Sequence, residues 1–236
     1  MIEKLNSKSR ATEVAATSTR IVEAFKSSGL STDAYLPGMF TTLETRTNAL
    51  TLAIRRTKAE SELEAKDEGR DQPVRGLNFL IKAYTVHPDA AIRAAALKLE
   101  KVFDKYGLKM ISESFATESA LVNSLLGDME APEMQAALAL LPSGADLLAA
   151  LQTAQSEFDS ARVAYEAERA REGTQANATE LKKEVLALIN DKLVLYLWGM
   201  EAVNEATYGE FARTLATIIA DNNVVVKKRF AKEPGE

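Results

Sequence analysis

Histidine and cysteine, which often do chemistry near neutral pH, are almost missing from this sequence. Its 236 residues include no cysteine and one histidine, His87. The lack of cysteine excludes disulfides, zinc–thiolate sites and thiol nucleophiles. One histidine cannot supply the two Glu-x-x-His ligand pairs of a ferritin-like di-iron site, and the His-Glu-x-x-His of zinc proteases is absent. Because Pro88 follows His87, we expect the imidazole to lie at a helix boundary, as a cap or a surface group.

Glutamate pairs offer a second kind of chemistry, because residues four apart share one face of a helix. Three such pairs are Glu60 with Glu64, Glu180 with Glu184, and Glu201 with Glu205. Acid–base or metal chemistry would need two helices to bring four carboxylates together. In a chain so rich in glutamate, we expect these pairs to lie on solvated helix faces.

One polar interruption, Asn190-Asp191-Lys192, separates two apolar runs of a predicted helix. If Asp191 is buried, it must be paired or protonated, which would make it a site candidate. The candidate polar cluster consists of Asp191, Lys192, Glu201 and Glu205. The simpler interpretation is that the interruption faces solvent or pairs with a neighbouring helix. The pattern assigns no catalytic residue, metal ligand or cofactor, and we expect Trp198 and Tyr196 to lie in the core.

Motifs for other functions are also absent. The sequence has no Walker A motif, no Gly-x-Gly-x-x-Gly, no Gly-x-Ser-x-Gly and no EF-hand loop. The formal net charge is -5, and neither Arg55-Arg56 nor Lys227-Lys228-Arg229 extends into a basic face, so we expect no nucleic-acid partner. The apolar stretch 193–200 is far shorter than the roughly 20 residues that span a bilayer. Since the N-terminus also lacks a signal-peptide core, we expect a cytoplasmic protein without a membrane segment.

The elements that carry these residues are predicted to be helices. Ala, Leu, Glu, Lys and Arg make up 119 of the 236 residues, a composition typical of long helices. The first long helix starts after Ser31-Thr32-Asp33, and its apolar stripe gives way to a charged run at 58–71. We expect this run to be the solvated tip of a helical hairpin, with a return helix that starts at Asp71 and Pro73.

A second hairpin is predicted further along the chain. Its first helix has the seam Leu147, Leu151, Ala154, Phe158, Ala161 and Tyr165, at coiled-coil spacing. A charged run at 166–173 forms its tip, and 177–180 caps the return. The segment 181–203 is apolar on two faces, so we expect it to be central in the bundle.

These patterns together predict an all-α fold, an elongated antiparallel helical bundle with two long helical hairpins. Gly69 and Gly173 are separated by the same interval as Leu77 and Leu181, which would fit an internal duplication or a chance likeness of two amphipathic hairpins. We expect an N-terminal helical half at 1–108, a C-terminal half at 109–230 packed with it, and a disordered tail at 231–236.

Several short segments resemble a family of uncharacterised all-helical proteins from Bacteroidota, which carries a domain-of-unknown-function label. The residues that carry the resemblance are Arg75-Gly76-Leu77, His87-Pro88-Asp89, Ala94-Ala95-Ala96 with Leu99, Val102 to Gly107, Phe115, Glu118, Asn123, Leu125-Leu126, Phe158 and Arg229. The resemblance extends from about Leu5 to Arg229. It implies a bacterial, cytoplasmic helical bundle, and it brings no activity, cofactor or catalytic residue.

Two hypotheses about function follow. The favoured one is a non-enzymatic helical bundle that acts as an interaction or structural protein, with a protein partner or self-association along its seams. The alternative is a carboxylate-based enzyme or small-ligand binder with an interhelical pocket near Asp191, Trp198 and Glu201. The missing catalytic signatures favour the first hypothesis, and a buried convergence of those three side chains would favour the second.

Overall fold

The chain folds into α-helices. In the computed structural model, the residues described are 2–172 and 177–231, and within these ranges there is no β-strand. The helices are α1 Ala11–Lys26, α2 Leu36–Tyr84, α3 Ala90–Phe103, α4 Phe115–Met129, α5 Pro132–Ala139, α6 Gly144–Glu172, α7 Ala178–Ala187, α8 Val194–Val203 and α9 Glu205–Ala231. Short 3-10 turns lie at Leu30–Thr32 and Leu108–Ser112, and a π-helical segment at Leu188–Leu193 joins α7 to α8. The predicted all-α bundle is confirmed.

Most helix boundaries follow from local capping chemistry. The Asp33 carboxylate accepts hydrogen bonds from the backbone N–H groups that open α2, and Asn177 does the same for α7. Gly29, which follows α1, has a φ of 72°, a left-handed conformation that suits glycine. At α3 the cap is Asp89, with His87 near it at the boundary where we expected it.

The first predicted hairpin differs from the structure. α2 is a single helix of 49 residues that runs without reversal through the charged segment 58–71 and past Gly69 and Pro73. Leu63 and Arg70 in that segment are buried. Tertiary packing of these side chains therefore outweighs the helix-breaking tendency of the glycine and the proline.

The second predicted hairpin agrees better with the structure. α6 continues through the predicted tip as far as Glu172, and α7 begins at Ala178, where the cap at 177–180 was predicted; residues 173–176 lie outside the described ranges. The predicted seam of α6 faces inward, with Leu151 and Phe158 fully buried. Because its counterpart α2 is unbroken, the two segments differ in conformation, and the internal duplication stays a prediction.

The chain divides into two compact units. The first comprises Met1–Thr57 and Glu168–Glu236. Its core is formed by apolar residues of α1, the first part of α2, and α7 to α9. These include Val14, Ile21, Leu36, Leu50, Val185, Ile189, Leu197, Leu215 and Ile219.

The N-terminal segment that precedes α1 also belongs to the first unit. The Asn190 side chain accepts a hydrogen bond from the backbone N–H of Leu5 (2.7 Å) and donates one to its carbonyl oxygen (2.9 Å). Asn223 of α9 pairs in the same way with the backbone N–H of Asn6 and the carbonyl of Lys4. Two asparagines thus hold the backbone of this segment through side-chain hydrogen bonds.

The second unit comprises Lys58–Ala167. Its core lies between the later part of α2, the first part of α6, and α3 to α5. These core residues include Val74, Leu77, Leu99, Phe103, Met110, Val122, Leu125, Leu138 and Leu151. The predicted boundary between 108 and 109 falls inside this unit, next to the buried Met110. α9 ends at Ala231, and the rest of the predicted tail lies outside the described ranges.

None of the helices in the described ranges is both long enough and apolar enough to cross a membrane.

Candidate functional site

The predicted polar cluster lies at the surface of the first unit. Asp191 is 61% exposed, and its Oδ1 accepts a hydrogen bond from Lys4 Nζ at 2.8 Å. Lys192 is also exposed. Asp191 is therefore not buried, and burial was the reason to consider it a site candidate. The simpler interpretation describes it: a solvent-exposed residue in a surface ion pair.

The two glutamates of the predicted polar cluster lie in different surroundings from Asp191. Glu201 is half-buried on α8, while Glu205 opens α9 and forms an ion pair with Arg213 at 2.9 Å. Within the described residues, no hydrogen bond or ion pair joins any two of Asp191, Lys192, Glu201 and Glu205.

The remaining glutamate pairs lie on solvated faces, as predicted. Glu60, Glu64, Glu180 and Glu184 are all exposed, and Glu184 forms a surface ion pair with Arg46 at 3.1 Å. Among the residues described, no group of three or more His, Asp or Glu side chains is arranged to hold a metal ion. His87 stacks on Tyr84, and its Nδ1 accepts a hydrogen bond from the Asp89 backbone N–H.

The prediction that Trp198 is a core residue is wrong. Its side chain is 50% exposed, as is that of Leu195 in the same helix. The physical reason is the π-helical segment that precedes α8. An extra residue in one turn shifts the helical phase, so apolar residues that would continue the buried stripes of α7 turn toward solvent in α8.

α8 therefore presents an apolar surface. Leu195, Trp198, Gly199, Ala202 and Val203 are all exposed. Their spacing of three and four places them on one side of the helix. We call this surface the α8 outer face. It is the opposite of the usual arrangement, in which an apolar stripe at this spacing packs against the core.

An anchor beside the α8 outer face fixes the orientation of α8. Tyr196 and Tyr208 both donate hydrogen bonds to Asp33 Oδ2, at 2.9 and 2.6 Å. Burial acts to raise the pKa of Asp33, but the bonds from Tyr208, the backbone N–H groups of Leu36 and Tyr35, and Tyr196 outweigh it and lower that pKa to about 2. One carboxylate thus caps α2 and ties it to α8 and α9.

Sequence reasoning missed a second polar feature, a buried network in the second unit. Arg70 of α2 is 0% exposed, and its Nη2 lies 3.0 Å from Glu118 Oε2 and 2.7 Å from Asp67 Oδ1. Its Nη1 donates hydrogen bonds to Ser119 Oγ at 2.8 Å and to Gln155 Oε1 at 3.0 Å. These five side chains, which we call the Arg70 network, come from α2, α4 and α6.

Burial in the Arg70 network opposes the ionisation of Glu118. Burial raises the pKa of Glu118 to about 7; the guanidinium of Arg70 acts in the opposite direction, while Asp67 and Asp71 add to the increase. The guanidinium of Arg70 also lies 3.8 Å from the centre of the Phe158 ring, a cation–π contact. Arg70 and Glu118 have no route to solvent, so the arrangement supports a structural role, in which the network fixes three helices to one another.

A cleft lies beside this network in the same unit. Its volume is about 540 Å³, and its lining residues, from α4, its C-terminal cap and α6, include Asn123, Glu130, Gln155, Asp159 and Val163. Gln155 connects the cleft to the network, because its Nε2 donates a hydrogen bond to Asp159 Oδ1 at 2.9 Å. The lining offers amide and carboxylate groups, and none of the residues that line it is basic.

Comparison with known proteins gives a family but no relative of known activity. No curated protein and no solved structure matches the chain. A model of a family of unknown function, DUF6261, matches residues 60–217, a shorter range than the resemblance predicted from the sequence. It includes the Arg70 network, the cleft and the α8 outer face. The chain belongs to this family.

Proposed function

We propose that this chain is an interaction protein of the helical-bundle type, and that it pairs with a second copy of itself through the α8 outer face. The exposure of five apolar or small residues on one side of α8 carries this proposal. Single exposed apolar side chains are normal on soluble proteins, whereas a contiguous apolar surface marks an interaction site. Tryptophan, which lies in the middle of this face, is enriched at the centres of interfaces.

The α8 outer face suits a second copy because it combines large and small residues. Leu195 and Trp198 project from the helix, while Gly199 and Ala202 leave space beside them. At Gly199, no atom lies within 4 Å of the position that a Cβ would occupy. In a two-fold dimer the same surface serves both partners, so it must contain projections and the hollows that receive them.

The alternative, a carboxylate-based enzyme or small-ligand binder, has less support. It needs Asp191, Trp198 and Glu201 around a buried cavity, but Asp191 is exposed and pairs with Lys4, and Trp198 is half-exposed. These placements favour the interaction protein. The proposal keeps the predicted cytoplasmic location and bacterial source as expectations.

Gly199 provides the most selective test. Replacing it with glutamate adds a side chain that has room in the free chain and removes a helix-weakening glycine. In the proposed dimer the same side chain would place a charge in the interface. We expect light scattering over a range of concentrations to give a dimer for the wild type and a monomer for Gly199→Glu.

Gly69 offers a matched control. It is also an exposed helical glycine, and no atom lies within 4 Å of its Cβ position. Gly69→Glu should change helix propensity and charge by the same amount and leave the dimer intact. A wild-type chain that remains monomeric at every concentration would overturn the proposal, as would a Gly199→Glu variant that dimerises as well as the control.

A further inference from the structure

We infer that the two copies pair with their α8 helices antiparallel, with the two-fold axis between Trp198 and Gly199 and with Lys192 of one copy facing Glu205 of the other. This inference rests on the proposed function, because it specifies the geometry of that same interface. It follows from two independent properties of the α8 outer face, the order of its large and small residues and the distribution of charge at its two ends.

The order of side-chain sizes favours the antiparallel arrangement. An axis between Trp198 and Gly199 places Trp198 of each copy on Gly199 of the other, and Leu195 on Ala202. Each large side chain then meets a small one, which allows the two helices to approach closely. In a parallel pair, Trp198 would meet Trp198 and Gly199 would meet Gly199, so the helices would be held apart around a gap.

The charges favour the same arrangement. The N-terminal end of the face has two cations, Lys192 and Lys4, and one anion, Asp191, which pairs with Lys4. Lys192 makes no ion pair with any residue in the described ranges. The C-terminal end has two anions, Glu201 and Glu205, and one cation, Arg213, which pairs with Glu205.

An antiparallel pair brings these oppositely charged ends together, whereas a parallel pair would bring like charges together. Lys192 lies six residues before Trp198, and Glu205, which opens α9 just after α8 ends, lies six residues after Gly199. Complementary charges at the rim of an interface select the orientation more than they add affinity.

Charge exchange tests the predicted contact between Lys192 and Glu205. We expect Lys192→Glu and Glu205→Lys each to raise the dimer dissociation constant several-fold at low salt, and the double variant to restore it. Lys183→Glu makes the same change of charge at an exposed lysine of α7. It should raise the dimer dissociation constant less than Lys192→Glu does. Failure of the double variant to recover affinity would overturn the assigned contact.

Disulfide cross-linking tests the direction of the helices, and the chain is well suited to it because it contains no cysteine. Two differently tagged full-length variants, Leu195→Cys and Ala202→Cys, are mixed under mild oxidation. The antiparallel pair places these positions opposite each other, within the short Cα separation that a disulfide needs. We therefore expect a mixed disulfide between the two variants, and little disulfide when either variant is oxidised alone.

The outcomes separate the geometry from the proposed function. Homodisulfides in each variant alone, without the mixed product, would show parallel pairing and overturn this inference. A dimer by light scattering that forms none of these disulfides would overturn the inference but leave self-association standing. A monomer by light scattering would overturn both.

Discussion

Arg70 and Glu118 form an ion pair that is closed to solvent, with 3.0 Å between Nη2 and Oε2 and side-chain exposures of 0% and 1%. Moving two such charges out of water is costly, and the attraction between them offsets that cost only when both are present with further hydrogen bonds. Ser119, Gln155 and Asp67 supply such bonds to Arg70, whereas Glu118 Oε1 is buried without a hydrogen-bond partner among the described residues. The pair therefore makes the second unit sensitive to the loss of either partner.

Loss of the arginine should destabilise the protein strongly. We expect Arg70→Met to lower the free energy of unfolding by about 3–5 kcal/mol, because Glu118 and Gln155 would remain buried without their partner. Urea denaturation followed by circular dichroism measures this. Lys66→Met, which removes an exposed ion pair with Glu157, should cost about 1 kcal/mol or less. Equal losses in the two variants would contradict a structural role for the Arg70 network.

Glu118 should make stability fall as the pH rises. Its pKa is about 7 in the folded chain against an ordinary value of 4.5, so the folded state binds the proton more tightly. The stability from the protonated form is fully present below pH 4.5 and is lost between about pH 4.5 and 7. We expect Glu118→Gln to flatten this decline in urea titrations, while Glu157→Gln leaves it unchanged. If the stability of Glu118→Gln falls with pH as much as that of the wild type, the fall must come from the ionisation of other groups.

Asp33 should have the opposite effect at lower pH. Its pKa is lowered from 3.8 to about 2 by bonds that need the ionised carboxylate. The stability that it contributes is present above pH 3.8 and is lost as the pH falls toward 2. Asp33→Asn should therefore lose less stability than the wild type between pH 5 and pH 2.5, measured by thermal unfolding. A parallel pH dependence in both proteins would refute this.

Asn223 should hold the N-terminal segment in place. Its side chain pairs with the backbone of Lys4 and Asn6, so Asn223→Ala leaves two partly buried backbone groups without partners. The expected loss is about 1–3 kcal/mol, with faster hydrogen exchange confined to 2–9. Asn48→Ala, at an exposed position of α2, serves as the control. Unaltered exchange in 2–9 would mean that other contacts hold the segment.

The fold class could be predicted from the sequence because capping residues and apolar spacing act locally. Asp33, Asp89 and Asn177 begin helices through bonds to their own backbone neighbours. The continuity of α2 could not be predicted in the same way, since Gly69 and Pro73 are local signals for a break. What overrides them is contact with α4 and α6, which are distant in sequence.

One pattern could have revealed the Arg70 network. Leu63, Arg70, Val74, Leu77 and Ile81 are all buried and follow helical spacing, so Arg70 occupies a core position on an unbroken α2. Because the residues around Arg70 in the sequence are charged, the segment was interpreted as solvent-exposed and this core position was not recognised. The exposure of Trp198 had no such signal in the sequence, because no local pattern marks the π-helical segment that precedes α8, whose Asn190 bonds to the distant backbone of Leu5.

Trp198 is the only tryptophan in the chain, so its fluorescence reports directly on the α8 outer face. We propose that a second copy covers this face. As the protein is diluted through the dimer dissociation constant, we expect Trp198 emission to shift to longer wavelength and its quenching by acrylamide to increase, in step with the fall in mass. Emission and quenching that stay constant while the mass falls from dimer to monomer would contradict the claim, because the interface would then lie elsewhere.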